Sequence, residues 1–420
     1  MSGKLRTFYT IVLTQTLSLI GSRISGLALG IWLFNETGNA TPIALVAFFQ
    51  IVPQVVMSSF AGVITDRWDR RYVMALSDFG QALGTVLLLV LFASGNFQVW
   101  HLYLVTFIQS IFGVFQGPAF SASVTMLVPD EQRNRANAIM QMTSPAAGIV
   151  APAVAGLVFA AIGVMGAIVI DLATFVVAFT VVLLVHIPRP RKTQEGSALS
   201  GSVWREMWSG LQYLWERKAL FTVMLFIMLL NFVFSAAGVL QTPYLLARLG
   251  DEALYGLAMS LFNGGMLAGG ILVGIWGGTK QRVHTIMPAA ILLGVFIMLY
   301  GMAQNVPFLM LISFLALIPN PFINALFMSI LQTKVAPDVQ GRVFAVISQM
   351  AMLMMPFSML LAGPLADQVF EPMVGTAAWA PFAPFFGTEP GAGIGLMFGI
   401  SGLLSAVVSV VMYLNPSVRQ

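Results

Sequence analysis

The sequence Gly62-Val63-Ile64-Thr65-Asp66-Arg67-Trp68-Asp69-Arg70-Arg71 decides how the rest of the chain is interpreted. A run of about twenty mostly apolar residues precedes it, and another begins directly after it. Because charged side chains are costly in the hydrocarbon core of a membrane, the stretch is predicted to form a tight turn at a membrane surface. The chain is therefore predicted to be a membrane protein with several spans.

Composition supports this interpretation. The 420 residues are 58% hydrophobic and only 9% charged, which excludes an ordinary soluble domain. Twelve apolar windows have spanning length, namely 8–33, 43–64, 73–95, 100–128, 137–162, 164–187, 219–245, 254–277, 284–304, 307–334, 343–366 and 392–414. We predict an all-α membrane protein whose twelve transmembrane helices form two pseudo-symmetric six-helix bundles, at 1–187 and 219–420. The linker 188–218 is predicted to be cytoplasmic and to carry an interfacial amphipathic helix.

The lysines and arginines predict the orientation of the chain. With both termini in the cytoplasm, all twenty except Arg23 and Arg248 lie on the cytoplasmic side. The outer loops, including the segment 367–391, otherwise carry acids or no charge. The net charge of +4 is thus interpreted as a topology signal, and no nucleic-acid partner is expected.

The spacing of the opening stretch resembles the loop 2–3 signature of the major facilitator superfamily of secondary transporters. In that reading Gly62 permits close helix approach, Asp66 lies near a helix N-terminus, and the arginines bridge to carboxylates of the other half, which closes a gate. The gating residues are then Gly62, Asp66, Arg67, Arg70, Arg71 and Asp78. The alternative is that the arginines only fix the orientation of the chain in the membrane.

Catalytic and metal chemistry are not indicated. The chain has no cysteine, and His101, His186 and His284 are far apart in sequence. No Ser-His-Asp grouping and no phosphate-binding loop is present in the sequence. We therefore expect no enzyme activity and no cofactor, and the driving energy is expected from an ion gradient, from a downhill solute or from another chain.

Three charged residues fall within predicted spans, and each needs an explanation because an ionisable group is costly there. Counted from the outer span ends, Arg23 and Asp171 lie at similar depths. They are predicted either to form a static salt bridge or to act in transport, with Asp171 exchanging a proton or a substrate cation against Arg23. Asp78 lies close to the cytoplasmic turn and is predicted to be a structural partner of Arg67 to Arg71.

Polar residues recur at helical spacing on spans one, four, seven and ten, which predicts a wet, weakly charged cavity. Helix-to-helix contact is the alternative role for each of these side chains. A methionine-rich stretch on span eleven suits varied apolar substrates, although lipid-facing packing explains it equally. The predicted cavity residues are Gln15, Ser18, Ser22, Gln109, Gln116, Asn231, Ser235, Asn320, Asn324 and Met352.

Span five carries small residues at four-residue spacing, followed by a proline within the same helix. This spacing permits close helix packing, and the proline bends the helix. The pattern resembles the span-five motif of drug and proton antiporters. Its residues are Ala147, Ala151, Pro152, Ala155 and Gly156.

Over nearly its whole length the chain resembles the bacterial macrolide-efflux and siderophore-exporter branch of the superfamily. The resemblance rests on the loop 2–3 motif, on Gly21-Ser22-Arg23, Ile170-Asp171 and Gly363-Pro364-Leu365-Ala366-Asp367, and on segments 129–135 and 187–190. It implies an exporter of amphiphilic small molecules in the bacterial inner membrane, working by alternating access as a monomer and driven by proton influx, with membrane lipid around it. The alternatives are transport of lysophospholipid or siderophore, or a non-transporting sensor or scaffold.

Overall fold

A computed structural model of the chain describes residues 3–129, 132–185, 212, 215, 218–335 and 340–414. All regular secondary structure in these ranges is helical. The described helices group into two compact units. Unit one comprises Met1–Gly38 and Leu45–Ser200, and unit two comprises Asn39–Ala44 and Gly201–Gln420.

Unit one is built from five long helices. They are α1 (Gly3–Thr37), α2 (Thr41–Arg67), α3 (Arg70–Ala93), α4 (Val99–Leu127) and α5 (Arg133–Leu184). The opening stretch of the sequence becomes the end of α2, the two-residue turn Trp68 and Asp69, and the start of α3. Asp69 caps α3 because its side chain accepts a hydrogen bond of 3.1 Å from the amide of Arg71.

Gly163 divides α5 into two spans. Its backbone angles, φ 67° and ψ −172°, are not helical and are costly for any residue with a Cβ. We call residues 133–162 the first arm of α5 and residues 164–184 its second arm. Eleven described helical segments are long and apolar enough to cross a membrane, and the break at Gly163 makes two spans of one of them. The all-α fold with twelve spans is thus confirmed.

Unit two contains α6 (Lys218–Leu249), α7 (Glu252–Trp276), α8 (Val283–Gly301), α9 (Val306–Ala316), α10 (Asn320–Lys334) and α11 (Gln340–Leu365). A π-helical turn, Ala366–Phe370, continues α11. Short helices follow at α12 (Glu371–Met373), Ala377–Trp379 and α13 (Ala383–Phe386), before the last span, α14 (Ala392–Leu414).

The tenth span is broken, whereas the sequence predicted one continuous apolar span over 307–334. α9 ends at Ala316 and α10 begins at Asn320, with Pro319 as its N-cap residue. Proline has no amide hydrogen and disfavours a helical residue before it, so Pro319 and Pro321 interrupt the helical hydrogen bonds. Any Cβ at Gly265 or Gly269 of α7 would overlap a carbonyl oxygen on this broken span.

The segment 367–391, predicted as an outer loop, folds against the rest of unit two. Trp379 is buried and donates a hydrogen bond of 2.8 Å to the carbonyl of Gly387. Arg248, one of the two positives that do not fit the predicted orientation, donates one of 2.6 Å to the carbonyl of Phe386, and its guanidinium lies 5.7 Å from the ring centre of Tyr244. Arg248 therefore has a local structural role.

Two acids that follow α11 cap helices. Asp367 accepts hydrogen bonds from the amides of Ala40 and Thr41, at 2.8 and 2.7 Å, where α2 begins. Glu371 accepts one of 2.8 Å from the amide of Ile394 in the first turn of α14. A carboxylate at a helix N-terminus satisfies free amide groups and matches the helix dipole.

Several predictions concern residues outside those described. The linker 188–218 and its surface helix are almost entirely in that category, so the domain boundaries at 187 and 219 stay predictions. The same holds for 130–131 and 336–339. Helix α2 is described as far as Arg67, but the side chains of Asp66 and Arg67 are not.

Candidate functional site

Two buried carboxylates lie inside the spans of unit one. Asp78 on α3 is 0% exposed, and Asp171 on the second arm of α5 is 5% exposed. Within the described residues, neither carboxylate forms an ion pair with a lysine or an arginine, and each is hydrogen-bonded by neutral side chains. This arrangement makes both of them candidates for proton or cation binding.

Asp171 is held by two hydroxyl groups. Ser22 on α1 donates to Oδ1 at 2.9 Å, and Thr85 on α3 donates to Oδ2 at 3.2 Å. The helices approach closely here because α1 has a glycine next to Ser22. A Cβ at Gly21 would overlap the hydroxyl of Thr174, one turn beyond Asp171.

Asp78 is held by two amide groups. Gln15 Nε2 donates to Oδ2 at 3.0 Å, and Gln116 Nε2 donates to Oδ1 at 2.6 Å. The two amides also contact each other, since Gln116 Nε2 lies 2.8 Å from Gln15 Oε1. The helices α1, α3 and α4 thus each contribute one side chain to this cluster.

Gln81 and Gln109 connect the two carboxylate sites. Gln81 Nε2 donates to Gln116 Oε1 at 3.0 Å, and Gln109 Nε2 lies 2.8 Å from the carbonyl of Gln81 and 3.1 Å from Thr85 Oγ1. Gly84 leaves room for Gln109, because a Cβ there would lie 2.6 Å from Gln109 Cγ. We call this set the polar belt: Gln15, Ser22, Asp78, Gln81, Thr85, Gln109, Gln116 and Asp171.

Comparison with known proteins decides the family. The family model described as Major Facilitator Superfamily matches residues 11–367. The chain belongs to the major facilitator superfamily. It is therefore a multi-pass membrane transporter and not an enzyme.

The chain is similar in sequence to bacterial efflux proteins. The chain is 30% identical over 380 residues to "Macrolide efflux protein A" of Streptococcus pyogenes, a match that covers 86% of this chain and 90% of the relative. It is 25% identical over 347 residues to "Multidrug efflux pump Tap" of Mycolicibacterium fortuitum, covering 80% and 83%. Among solved structures, the nucleoside transporter NupG has a TM-score of 0.72 at 14% identity, covering 97% of this chain and 99% of that one. The structural likeness supports the fold alone.

The static salt bridge between Arg23 and Asp171 is not present in this major facilitator chain. Arg23 Nη2 donates to Ser144 Oγ on the first arm of α5 at 2.8 Å, and Asp171 bonds Ser22 and Thr85 instead. Neighbouring residues on a helix point about 100° apart, so a helix that directs Ser22 at Asp171 directs Arg23 elsewhere. Equal depth in the membrane, which the sequence indicates for Arg23 and Asp171, does not fix the direction of either side chain around its helix.

The predicted partnership of Asp78 with Arg71 is not observed, and the side chain of Arg67 lies outside the described residues. Asp78 accepts from Gln15 and Gln116, two turns into α3 from the turn. Arg71 donates from Nε to the carbonyl of Val182, at 3.2 Å, and from Nη2 to that of Leu183. A cation at the carboxyl end of the second arm of α5 satisfies free carbonyls and matches the helix dipole.

The predicted cavity residues fall into two groups. Gln15, Ser22, Gln109 and Gln116 come together in the polar belt of unit one, and the buried Ser18 lies one turn before Ser22, with its carbonyl oxygen 3.1 Å from Ser22 Oγ. In unit two the amides of Asn231 and Asn324 bond within their own helices, at Ile227 and Asn320. Ser235 Oγ is buried and has no hydrogen-bond partner among the residues that the structure describes, and Met352 is half-buried.

The small residues of span five pack unit one together. Ala151 and Ala155 are fully buried against Ile24 and Ala28 of α1, and Ala147 is fully buried as well. Pro152 and Gly156 are also buried. The motif is thus a helix-packing seam between α1 and α5.

Gln81 and Thr85 were missed by the sequence analysis. Asp78, Gln81 and Thr85 lie at positions i, i+3 and i+7 of α3 and share one face. The same helical spacing that singled out α1 and α4 would have found them, but span three was interpreted only through its charge.

Proposed function

We propose that this transporter exports macrolides or related amphiphilic molecules from the bacterial cytoplasm, in exchange for protons that enter. The single observation that carries the exchange is Asp171, which is buried in a span and, among the described residues, bonded by the side chains of Ser22 and Thr85. Alternating access allows the export of one solute to be coupled to the entry of another, and a carboxyl group can carry a proton without any cofactor.

The relatives support the cargo. The chain matches 90% of the length of a macrolide efflux protein, and its match to a multidrug pump covers 83% of that relative. Macrolides are large amphiphiles, for which a weakly charged cavity is suitable. In this proposal Asn231, Ser235, Asn320, Asn324 and Met352 contribute the unit-two wall of the cavity, and the buried hydroxyl of Ser235 is open to a ligand oxygen.

Energetics support the proton. A carboxylate in a membrane-spanning segment costs several kcal/mol unless it is paired or solvated. Two neutral hydroxyl donors compensate only part of that cost, whereas adding a proton removes the charge. Arg23 follows Ser22 directly in the sequence and donates a hydrogen bond to Ser144. Its side chain is proposed to respond when Asp171, the partner of Ser22, changes its charge.

Location and gating form the remaining parts of the proposal. The protein is placed in the bacterial inner membrane as a monomer, with both termini in the cytoplasm and the positive turn Arg67 to Arg71 on that side. Gly62, Asp66, Arg67, Arg70 and Arg71 are proposed to regulate opening on the cytoplasmic side. Expression in a susceptible bacterium is expected to raise macrolide resistance.

The direct test uses purified full-length protein in liposomes. The protein is inserted in inverted orientation, so that export from the cytoplasm becomes uptake into the liposome. A pH difference across the membrane is then expected to drive uptake of a labelled macrolide such as erythromycin by the wild type. Asp171→Asn is expected to weaken the response to the pH difference. Glu36→Gln is the matched control, because Glu36 is an exposed acid at the outer end of α1.

The control separates loss of one carboxyl from loss of function in general. Uptake that persists unchanged in Asp171→Asn would remove Asp171 from the proposal. Absence of gradient-driven uptake in the folded wild type, for macrolides and for other cationic amphiphiles, would overturn the proposed export.

A further inference from the structure

We infer that Asp78 is a second proton-exchanging carboxyl, and that it forms a single two-proton site with Asp171 through the polar belt. This inference rests on the proposed exchange of substrate for protons and adds its stoichiometry. Each carboxylate takes one proton from water on an Oδ atom and later returns it to water, and no other covalent bond changes.

The first reason is the surroundings of Asp78. It is more deeply buried than Asp171, at 0% against 5% exposure, and its two partners are the neutral amides of Gln15 and Gln116. An acid kept in the membrane only for structure is expected to be paired with a base. Among the described residues, no basic side chain bonds Asp78.

The second reason is the lack of compensating charge nearby. The helices around Asp78 and Asp171 are α1, α4 and the arms of α5, and none of their described titratable groups bonds either carboxylate. Arg23 donates to Ser144, Arg71 to the carbonyls of Val182 and Leu183, and Tyr103 stacks on Phe49. The remaining titratable groups of α1, α3, α4 and α5 whose side chains the structure describes lie towards helix ends: Arg6, Tyr9, Glu36, Arg70, Tyr72, His101, Arg133 and Arg135.

The third reason is the continuous hydrogen bonding between the two acids. A protonated carboxyl donates from its O–H, so Gln15 or Gln116 must present its oxygen where it now presents its amide nitrogen. That rearrangement changes the bond between Gln116 and Gln81. Gln109 and the hydroxyl of Thr85 continue the belt to Asp171. The two acids thus belong to one hydrogen-bonded set, in which the backbone carbonyl of Gln81 joins the Gln116 side to the Thr85 side.

The fourth reason is the distribution of acids between the units. The described acids of unit two, Asp251, Glu252, Asp367, Glu371 and Glu389, lie at helix ends or in the outer segment, and three of them cap helices. The spans of unit two, as far as they are described, thus hold no counterpart of the belt. Proton exchange is assigned to unit one.

The experiment measures how many protons move per substrate. Full-length protein in liposomes, with the membrane potential held at zero, is given a fixed pH difference of about one unit. The opposing macrolide gradient that stops net flux is then determined. Two protons per substrate balance a gradient of about 100-fold, and one proton balances about 10-fold.

The wild type is expected to balance near 100-fold. Asp78→Asn and Asp171→Asn are each expected to balance near 10-fold, and the double variant is expected to move macrolide only downhill. Asp78→Glu keeps the carboxyl and is expected to restore the wild-type ratio, as is the exposed control Glu36→Gln. A structural role for Asp78 would change rates without changing the balance point.

The outcomes are distinct. Lack of any coupling in the wild type overturns the proposed function itself. Suppose that the wild type is coupled, and that the proton-to-substrate ratio of Asp78→Asn either equals that of the wild type or falls to zero. Either result overturns only the two-proton site. If Asp78→Asn is folded but inactive, the number of protons that Asp78→Glu moves per substrate decides. One proton per substrate in Asp78→Glu also contradicts the inference.

Discussion

At the scale of single residues, the hydroxyl of Thr85 is the link on which both ends of the polar belt depend. It donates to Asp171 and accepts from Gln109, so one small side chain joins α3 to α4 and α5. Removing the hydroxyl takes the donor from Asp171 Oδ2 and leaves Gln109 Nε2 with the carbonyl of Gln81, and a lost bond to a buried group is costlier than a lost exposed bond.

We expect Thr85→Val, which keeps the shape and removes the hydroxyl, to lower the free energy of unfolding by about 1–3 kcal/mol. Thermal unfolding in detergent, followed by fluorescence-detected size exclusion, measures this. Thr85→Ser keeps the hydroxyl and is expected to stay close to the wild type. Equal stability of the valine and serine variants would show that the hydrogen bonds of Thr85 are not needed.

Gly21 is predicted to be intolerant of alanine. A Cβ there would overlap Thr174 Oγ1 and come within 3.3 Å of the Cα of Asp171, so α1 and α5 must separate where Ser22 bonds Asp171. Overpacking of this kind costs about 1–3 kcal/mol. Gly26→Ala is the control on the same helix, because a Cβ at Gly26 meets nothing within 4 Å. Similar melting temperatures for the two variants would contradict the close approach.

At the scale of elements, the described spans differ from simple rods at two places, and each has a local cause. Gly163 turns α5 into two arms through a backbone conformation open to glycine. Pro319 and Pro321 separate α9 from α10, and the broken span lies directly against glycines of α7. Irregular backbone in a membrane is tolerated where it is covered by protein, and α7 supplies that cover.

We predict that Gly265→Ala separates α7 from the broken span, because its Cβ would overlap the carbonyl oxygen of Phe314. The backbone of α9 has no flexible atom there with which to adjust, so the loss is expected to be at least about 1–3 kcal/mol. Gly270→Ala is the control, since a Cβ at Gly270 meets nothing within 4 Å. Melting temperatures of both variants test the prediction, and equal values would contradict the packing.

Sequence patterns predicted much of this level. Apolar windows gave the spans, and the last window, 392–414, has the same bounds as α14. Small residues at four-residue spacing identified the seam of Ala151 and Ala155. The break at Pro319 was missed because mean hydropathy does not register a lost backbone hydrogen bond, and the folding of 367–391 depends on distant partners such as Arg248.

At the scale of the whole molecule, each unit contains six spans, but the two units differ in chemistry. Unit one holds the two buried carboxylates, and the described spans of unit two hold capping acids at their ends and a buried aromatic group around Tyr244 and Tyr300. Composition and motifs were sufficient to predict the family and the all-α fold. Partner choice inside the bundle was not predictable, because the directions of Ser22 and Arg23 depend on helix rotation that only packing fixes.

The central claim, exchange of substrate for protons, is tested most directly by its reciprocal effect. If the two movements are coupled, a macrolide gradient alone must drive protons in the opposite direction. Full-length protein is placed in liposomes at equal pH on both sides, macrolide is added to one side, and an internal pH indicator is followed. We predict a pH change in the wild type, absent in the Asp78→Asn, Asp171→Asn double variant and present in Glu36→Gln. Macrolide movement without any proton movement in the wild type would contradict the account.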